Sequence, residues 1–171
     1  RIEQAAEDVA VERSEQEEWL DDRLFEIGSD FAGKVGIAVH DPARERMMHF
    51  NGTDLYPQQS VSKLWVALTA LDQADRGELD LSETATVRNG DLAVFHSPIR
   101  QSVAAQGSFT TSYADFISRA LTQSDNTAND MVLRRVGGSD AVRRVLARKG
   151  FADIRFGPGE RPMQSAIAGL E

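Results

Sequence analysis

Two short segments carry side chains whose types and spacing suit nucleophilic chemistry, and Ser60 and Lys63 form the first. They stand three residues apart where a helical repeat begins, so their side chains share one helix face and can touch. A serine hydroxyl is a poor nucleophile until a neighbouring base takes its proton, and a lysine amine in its neutral form can do so. The pair therefore indicates a serine nucleophile. The alternative is an ordinary surface helix start, which the same spacing also fits.

The second segment is Ser124-Asp125-Asn126. A second serine beside the Ser60–Lys63 pair can relay a proton to a leaving nitrogen, and the Asn126 side chain can both accept from and donate to a substrate amide. The alternative is a helix cap, because serine, aspartate and asparagine are all favoured at the N-cap position. Taken together, the two segments favour chemistry over two unrelated local explanations.

These segments resemble two of the three active-site motifs of the penicillin-recognising serine hydrolases, in particular the class A serine β-lactamases that use a glutamate-activated water. The resemblance runs from about Leu20 onward. Residues 56–63 are similar to the nucleophile segment and residues 124–128 to the second motif. Residues 95–99 resemble the loop at the site mouth, with His96 where the family usually has an aromatic. The third motif, Lys-Thr-Gly on a strand, has no counterpart in this sequence.

The ungapped register of the resemblance also implies roles near the end of the sequence. Glu160 falls on the general base that activates the hydrolytic water, and Gln164 on an amide that helps to hold this water. The surroundings depart from the family: Phe-Gly-Pro-Gly precedes the glutamate, Gln164 replaces an asparagine, and Asp130 stands where an asparagine usually steadies the glutamate. The alternative for Glu160 is a solvated loop residue.

The resemblance implies a serine β-lactamase that hydrolyses the β-lactam amide of penicillin-type antibiotics through an acyl-enzyme on Ser60. The implied catalytic residues are Ser60, Lys63, Ser124 and Glu160. The implied substrate-binding residues are Asn126, His96 and Gln164. One alternative is a penicillin-binding carboxypeptidase or esterase-like serine hydrolase, and another is a β-lactam sensor domain that does not hydrolyse its ligand. An exported location, periplasmic or secreted, is implied as well.

Composition limits the partners and cofactors. Nineteen basic and 27 acidic residues give a net charge of −8, which argues against nucleic acid or an anionic membrane as a partner. There is no cysteine, and the three histidines are scattered, so neither a metal nor another cofactor is expected. The expected partners are the small β-lactam substrate and a C-terminal segment of the same protein that completes the sheet.

Hydrophobic periodicity predicts a helix, a hairpin and then only helices. We expect a first helix broken by Gly28 and Gly33, strands over residues 34–40 and 46–50, a loop-rich stretch over 78–110, and a late helix capped by Ser139. Because a lone hairpin is marginal in water, we expect the sheet to gain further strands. The resemblance implies an α/β fold class, with an antiparallel sheet flanked by helices plus an all-helical domain. Residues 1–58 are assigned to the α/β domain and residues 59–171 to the helical domain. The resemblance also implies that the C-terminal strands of that fold are missing from this chain.

Overall fold

The structure is a computed structural model that describes residues 14–157. The helices are α1 (Glu15–Asp30), α2 (Ser62–Asp75), α3 (Ile99–Gln106), α4 (Tyr113–Thr122), α5 (Asn126–Arg135) and α6 (Gly138–Arg148). The strands are β1 (Ile37–Asp41), β2 (Arg46–Phe50), β3 (Thr84–Val87) and β4 (Phe109–Ser112). The chain divides into two compact units, Arg1–Pro57 and Gln58–Glu171.

The first unit contains α1 and the antiparallel hairpin formed by β1 and β2. The hairpin register pairs Ile37 with Phe50 and Asp41 with Arg46, so the predicted hairpin is confirmed. Helix α1 ends at Asp30, before Gly33, and it is not broken at Gly28 as predicted. The glycine instead allows close packing, because a Cβ at Gly28 would lie 2.2 Å from the Phe50 ring.

The second unit has a single hydrophobic core to which α2, α4, α5 and α6 all contribute. The core residues that are at most 1% exposed on these helices are Val66, Ala70, Phe116, Ala128, Val132, Val142 and Leu146. Helix α2 is therefore held on several sides, and tight packing of this kind leaves little freedom for a helix to shift. The position of α2 matters because Ser60 immediately precedes it.

The stretch expected to be loop-rich contains a second small sheet, so the prediction of helices alone after the first hairpin is wrong. Strands β3 and β4 pair antiparallel, with Thr84 opposite Ser112 and Val87 opposite Phe109, and α3 lies between them in the sequence. Each strand has four residues and is rich in threonine, which favours strands, but four residues are too few to show a hydrophobic period.

The turn between α5 and α6 also differs from the prediction. Helix α6 begins at Gly138 with Gly137 as its N-cap, so Ser139 lies inside the helix and does not cap it. Gly137 and Gly138 have φ values of 98° and 78°, in the left-handed region where glycine avoids the steric cost of a Cβ. The glycine pair, and not the serine, therefore sets the start of α6.

The start of α5 is tied to the segment before α3 through Asp125. This residue is fully buried and caps α5 by accepting a hydrogen bond from the Ala128 N–H at 3.0 Å. The same carboxylate accepts from the Ile99 N–H at 2.8 Å and from the Ser97 hydroxyl at 3.2 Å. These donors compensate the cost of burying a carboxylate. They also fix the backbone on which Ser124 stands.

Helices α2 and α6 are joined by ion pairs to Asp72, whose side chain is 11% exposed. Lys149 Nζ lies 2.9 Å from one carboxylate oxygen, and Arg148 pairs with the other. Arg76, the residue that follows α2, adds a longer contact to Asp72 at 3.4 Å. The hydrogen bond from Lys149 is the main cause that holds the pKa of Asp72 below its usual value.

The depressed pKa of Asp72 predicts an acid-sensitive contribution to stability. A carboxyl whose pKa is lower in the folded state stabilises the fold above its unfolded pKa, about 3.9, and this contribution disappears as the pH falls through the folded value. We expect Asp72→Asn to lower the free energy of unfolding by about 1 kcal/mol at neutral pH and to flatten its dependence on pH below about 4. Urea unfolding of the full-length protein between these pH values measures both effects. Asp75→Asn, an exposed change on the same helix, is the control, and superimposable Asp72→Asn and parent profiles would contradict the assignment.

The buried position of Asp125 predicts a larger loss at neutral pH. In Asp125→Asn an amide NH₂ group replaces one of the two carboxylate oxygens. Its hydrogens then face an N–H or O–H group that had donated to that oxygen, so we expect a loss of about 3 kcal/mol in the free energy of unfolding. Chemical unfolding measures the loss. The control is Asp140→Asn, whose side chain is 76% exposed and pairs with Arg143 on the surface, and which should cost less than about 1 kcal/mol. Equal losses in the two variants would rule out the buried network as the cause.

Candidate active site

Ser60 lies in a short 3-10 turn, Gln59–Val61, that leads directly into α2. Gln59 has a φ of 48°, a left-handed conformation that costs a residue with a side chain about 1–2 kcal/mol. The Ser62 hydroxyl donates to the Gln59 carbonyl at 2.7 Å and supports this turn. The strained residue thus sets the direction in which the chain presents Ser60, and such strain is concentrated at functional sites.

Lys63 contacts Ser60 as the sequence predicts. The lysine is 2% exposed, and its Nζ donates a hydrogen bond to Ser60 Oγ at 3.0 Å. A lysine amine is costly to bury without polar partners, so this contact serves the lysine as well as the serine. Ser60 itself is exposed, which leaves its hydroxyl accessible to a reacting group.

Ser124 extends this pair into a row of three polar side chains. Its Oγ lies 2.8 Å from Ser60 Oγ, a hydrogen-bond distance at which either hydroxyl can be the donor. Ser124 has a φ of 53°, so its backbone is also left-handed. Gln59 and Ser124, neither of them a glycine, thus both have strained left-handed backbones. They lie at the contact between Ser60 and Ser124, two residues that are distant in the sequence.

The structure separates the two readings of the Ser124-Asp125-Asn126 segment. The cap interpretation applies to Asp125, which caps α5, whereas Ser124 lies outside the helix and contacts Ser60. Asn126 is the first residue of α5 and is 7% exposed. Asp125 therefore starts the helix, while its neighbour Ser124 places a hydroxyl beside Ser60.

His96 lies next to this segment and is exposed. Its Nε2 is 2.9 Å from the Gln123 carbonyl oxygen, and its own carbonyl accepts a hydrogen bond from the Asn126 N–H at 3.2 Å. Because a carbonyl oxygen can only accept, Nε2 carries the hydrogen. The sequence placed His96 at the site mouth but gave no sign of this bond.

The two other residues of the expected site, Glu160 and Gln164, lie outside the described residues. Asp130, which the resemblance associates with Glu160, is 8% exposed on α5. Its neighbour Asn129 is 3% exposed, and its Oδ1 is buried without a hydrogen-bond partner in the described part of the chain. Between residues 14 and 157 no three side chains of the metal-binding types cluster together.

Sequence reasoning missed the contribution of Asp125 and Ser97 to the placement of Ser124. Ser97 Oγ lies 2.7 Å from Thr127 Oγ1 and also donates to Asp125, so the segment before α3 and the start of α5 are joined by several buried bonds. The available signal was the N-cap preference of Asp125, which predicts a fixed helix start. Nothing in the sequence indicates the partner loop that the same carboxylate binds.

Comparison with known proteins gives consistent results. Residues 19–169 match the model of the family described as the β-lactamase enzyme family. The extended-spectrum β-lactamase PER-1 of Pseudomonas aeruginosa is 30% identical over 158 residues, which are 91% of this chain and 51% of that protein. The β-lactamase VEB-1 of the same organism is 27% identical over 131 residues, 76% of this chain and 43% of that protein. The chain thus spans about half the length of these relatives.

Solved structures show the same similarity in three dimensions. A β-lactamase from Chitinophaga pinensis DSM 2588 superposes with a TM-score of 0.77 at 29% identity, over 85% of this chain and 54% of that one. An ancestral (GNCA) class A β-lactamase gives a TM-score of 0.74 at 29% identity, over 84% of this chain and 54% of that one. The expected α/β fold class is confirmed, and so is the resemblance inferred from the two motifs. The chain belongs to the β-lactamase enzyme family.

Proposed function

We propose that the protein of which this chain is part is a serine β-lactamase, which hydrolyses the amide of penicillin-type antibiotics through an acyl-enzyme on Ser60. The observation that carries the proposal is the row Lys63 Nζ–Ser60 Oγ–Ser124 Oγ, with separations of 3.0 and 2.8 Å. It supplies a nucleophile, a base and a second hydroxyl within hydrogen-bond reach. The names of the relatives support the same activity.

Acylation would begin with attack of Ser60 Oγ on the lactam carbonyl carbon. The serine proton passes to Lys63, or to Glu160 through a water. The Ser60 backbone N–H is one donor to the carbonyl oxyanion, and the field at the start of α2 adds to its stabilisation. As the carbon–nitrogen bond breaks, Ser124 gives its proton to the lactam nitrogen and takes up in its place the proton that Ser60 lost, which leaves an ester on Ser60. Asn126 holds the amide of the substrate side chain, and His96 lies at the site mouth.

Deacylation is assigned to Glu160 and Gln164. The carboxylate of Glu160 takes a proton from a water that attacks the ester carbonyl, while Gln164 holds that water. The carbon–oxygen bond to Ser60 then breaks and the serine recovers its proton. This step separates a β-lactamase from a protein that remains acylated.

We also propose that a C-terminal segment of the same protein completes the sheet and supplies the second oxyanion donor from a Lys-Thr-Gly strand. The proposal is supported by the hairpin of the first unit, since two strands are marginal alone. Three of the five β1 residues are exposed. In this arrangement residues 1–58 belong to the α/β domain and residues 59–171 to the helical domain.

An exported location, periplasmic or secreted, is proposed from membership of the family. In the region from residue 14 to residue 157, no helix is long and apolar enough to cross a bilayer. Cell fractionation followed by detection of the full-length protein would show the compartment in which the protein lies.

The activity predicts a transient covalent adduct together with turnover. When the full-length protein is incubated with excess penicillin, intact-mass spectrometry should show an adduct that declines as hydrolysed penicillin accumulates. Ser60→Ala should abolish both signals by removing the nucleophile. Ser118→Ala, an exposed change on α4, is the matched control and should retain both.

Other outcomes of that experiment favour the alternatives. A persistent adduct without turnover would favour the sensor domain or the poorly hydrolysing carboxypeptidase. Absence of any adduct on the parent protein would contradict acylation of Ser60 altogether.

The proposed role of Glu160 predicts that its loss slows deacylation. Glu160→Gln should lengthen the lifetime of the penicillin adduct at least about a hundredfold, because a positioned general base contributes a factor of about 10²–10⁴. Quenched-flow mass spectrometry measures the adduct lifetime, with the exposed Glu78→Gln as the control. An unchanged lifetime would exclude Glu160 as the deacylating base.

A further inference from the structure

His96 contacts the backbone on both sides of Ser124. Its imidazole Nε2 donates to the Gln123 carbonyl at 2.9 Å, and its own carbonyl accepts from the Asn126 N–H at 3.2 Å. One residue of the loop before α3 therefore binds the residue that precedes Ser124 and the first residue of α5. His96 therefore does more than lie at the mouth of the site, because it makes two defined hydrogen bonds to the backbone beside Ser124.

The peptide group between Gln123 and Ser124 determines where the Ser124 hydroxyl points. Its orientation fixes the φ of Ser124, which is 53° and therefore costly for serine. The N–H groups of Gln123 and Asp125 are both held by the Arg119 carbonyl, at 3.0 and 3.3 Å. The Gln123 carbonyl, which belongs to the peptide group that joins Gln123 to Ser124, accepts the hydrogen bond from His96.

We infer that His96 is a positioning residue for Ser124. Its Nε2–H holds the Gln123 carbonyl, and thereby the left-handed backbone that keeps Ser124 Oγ 2.8 Å from Ser60 Oγ. The inference rests on the proposed function, in which Ser124 protonates the lactam nitrogen. It assigns the histidine a hydrogen-bonding task that an apolar aromatic ring in the same place cannot perform.

The chemistry of the leaving group distinguishes this task from simple substrate contact. The lactam nitrogen becomes strongly basic as the carbon–nitrogen bond breaks and then needs the Ser124 proton, whereas the thiolate of a thioester leaves without protonation. Loss of the His96 bond should therefore slow acylation by a penicillin much more than acylation by a thioester with the same acyl side chain. Lost substrate contact would slow both.

The test compares two substitutions in the full-length protein. His96→Phe keeps a ring but removes the donor, while His96→Gln removes the ring but offers an amide N–H at a similar reach. Pre-steady-state acylation by penicillin should fall about tenfold in His96→Phe, a small displacement of a reacting group being enough for such a loss. His96→Gln should recover most of that loss. With the thioester, His96→Phe should change acylation less than about twofold.

The control is His40→Phe, the same chemical change on β1, which should not alter acylation. A crystal structure of His96→Phe provides a second readout, in which Ser124 Oγ is expected beyond hydrogen-bond distance of Ser60 Oγ. The inference is overturned if the 2.8 Å contact persists there, if His96→Gln is as slow as His96→Phe, or if both substrates are slowed equally. If penicillin does not acylate the parent protein, the proposed function itself fails and the inference fails with it.

Discussion

The hydrogen bond from the buried Lys63 amine to Ser60 is the contact around which the rest of this site is arranged. Burial of a lysine is unfavourable unless polar groups surround it, and Ser60 is one such group. Lys63 is 2% exposed in a helix whose next turns contribute Val66 and Ala70 to the core. The packing of that helix in the core therefore helps to keep the amine beside the serine.

The contact between Ser60 and Ser124 depends on strained backbone conformations and on buried hydrogen bonds. Gln59 and Ser124 both adopt left-handed backbones, and each sits beside or within the contact between the two serines. Such conformations persist only where the surroundings enforce them. Here Asp125 helps to enforce that of Ser124, because its carboxylate accepts hydrogen bonds from the first turn of α5 and from Ser97 and Ile99 at the start of α3. The bond from His96 acts on the adjacent peptide group. The stable parts of the second unit thereby maintain a conformation that the free chain would avoid.

The sequence could predict the contacts that depend on local geometry. The Ser60–Lys63 contact follows from a spacing of three residues in a helix, and the cap at Asp125 follows from side-chain preference. The contact between Ser60 and Ser124 joins distant segments, so it required a resemblance between two motifs and could not come from either alone. The left-handed backbone of Ser124 and the bond from His96 leave no mark in the sequence, because serine and histidine are common in ordinary loops.

In the proposed mechanism two adjacent serines have different roles: Ser60 forms the covalent bond and Ser124 moves a proton. Their hydroxyls are only 2.8 Å apart, so the most direct measurement is the position of the penicillin adduct in the full-length protein. Acid quenching during the reaction, digestion and tandem mass spectrometry would locate the added mass on a single residue. We expect the added mass on Ser60 alone. An adduct on Ser124 would contradict this division of labour and reverse the roles of the two serines.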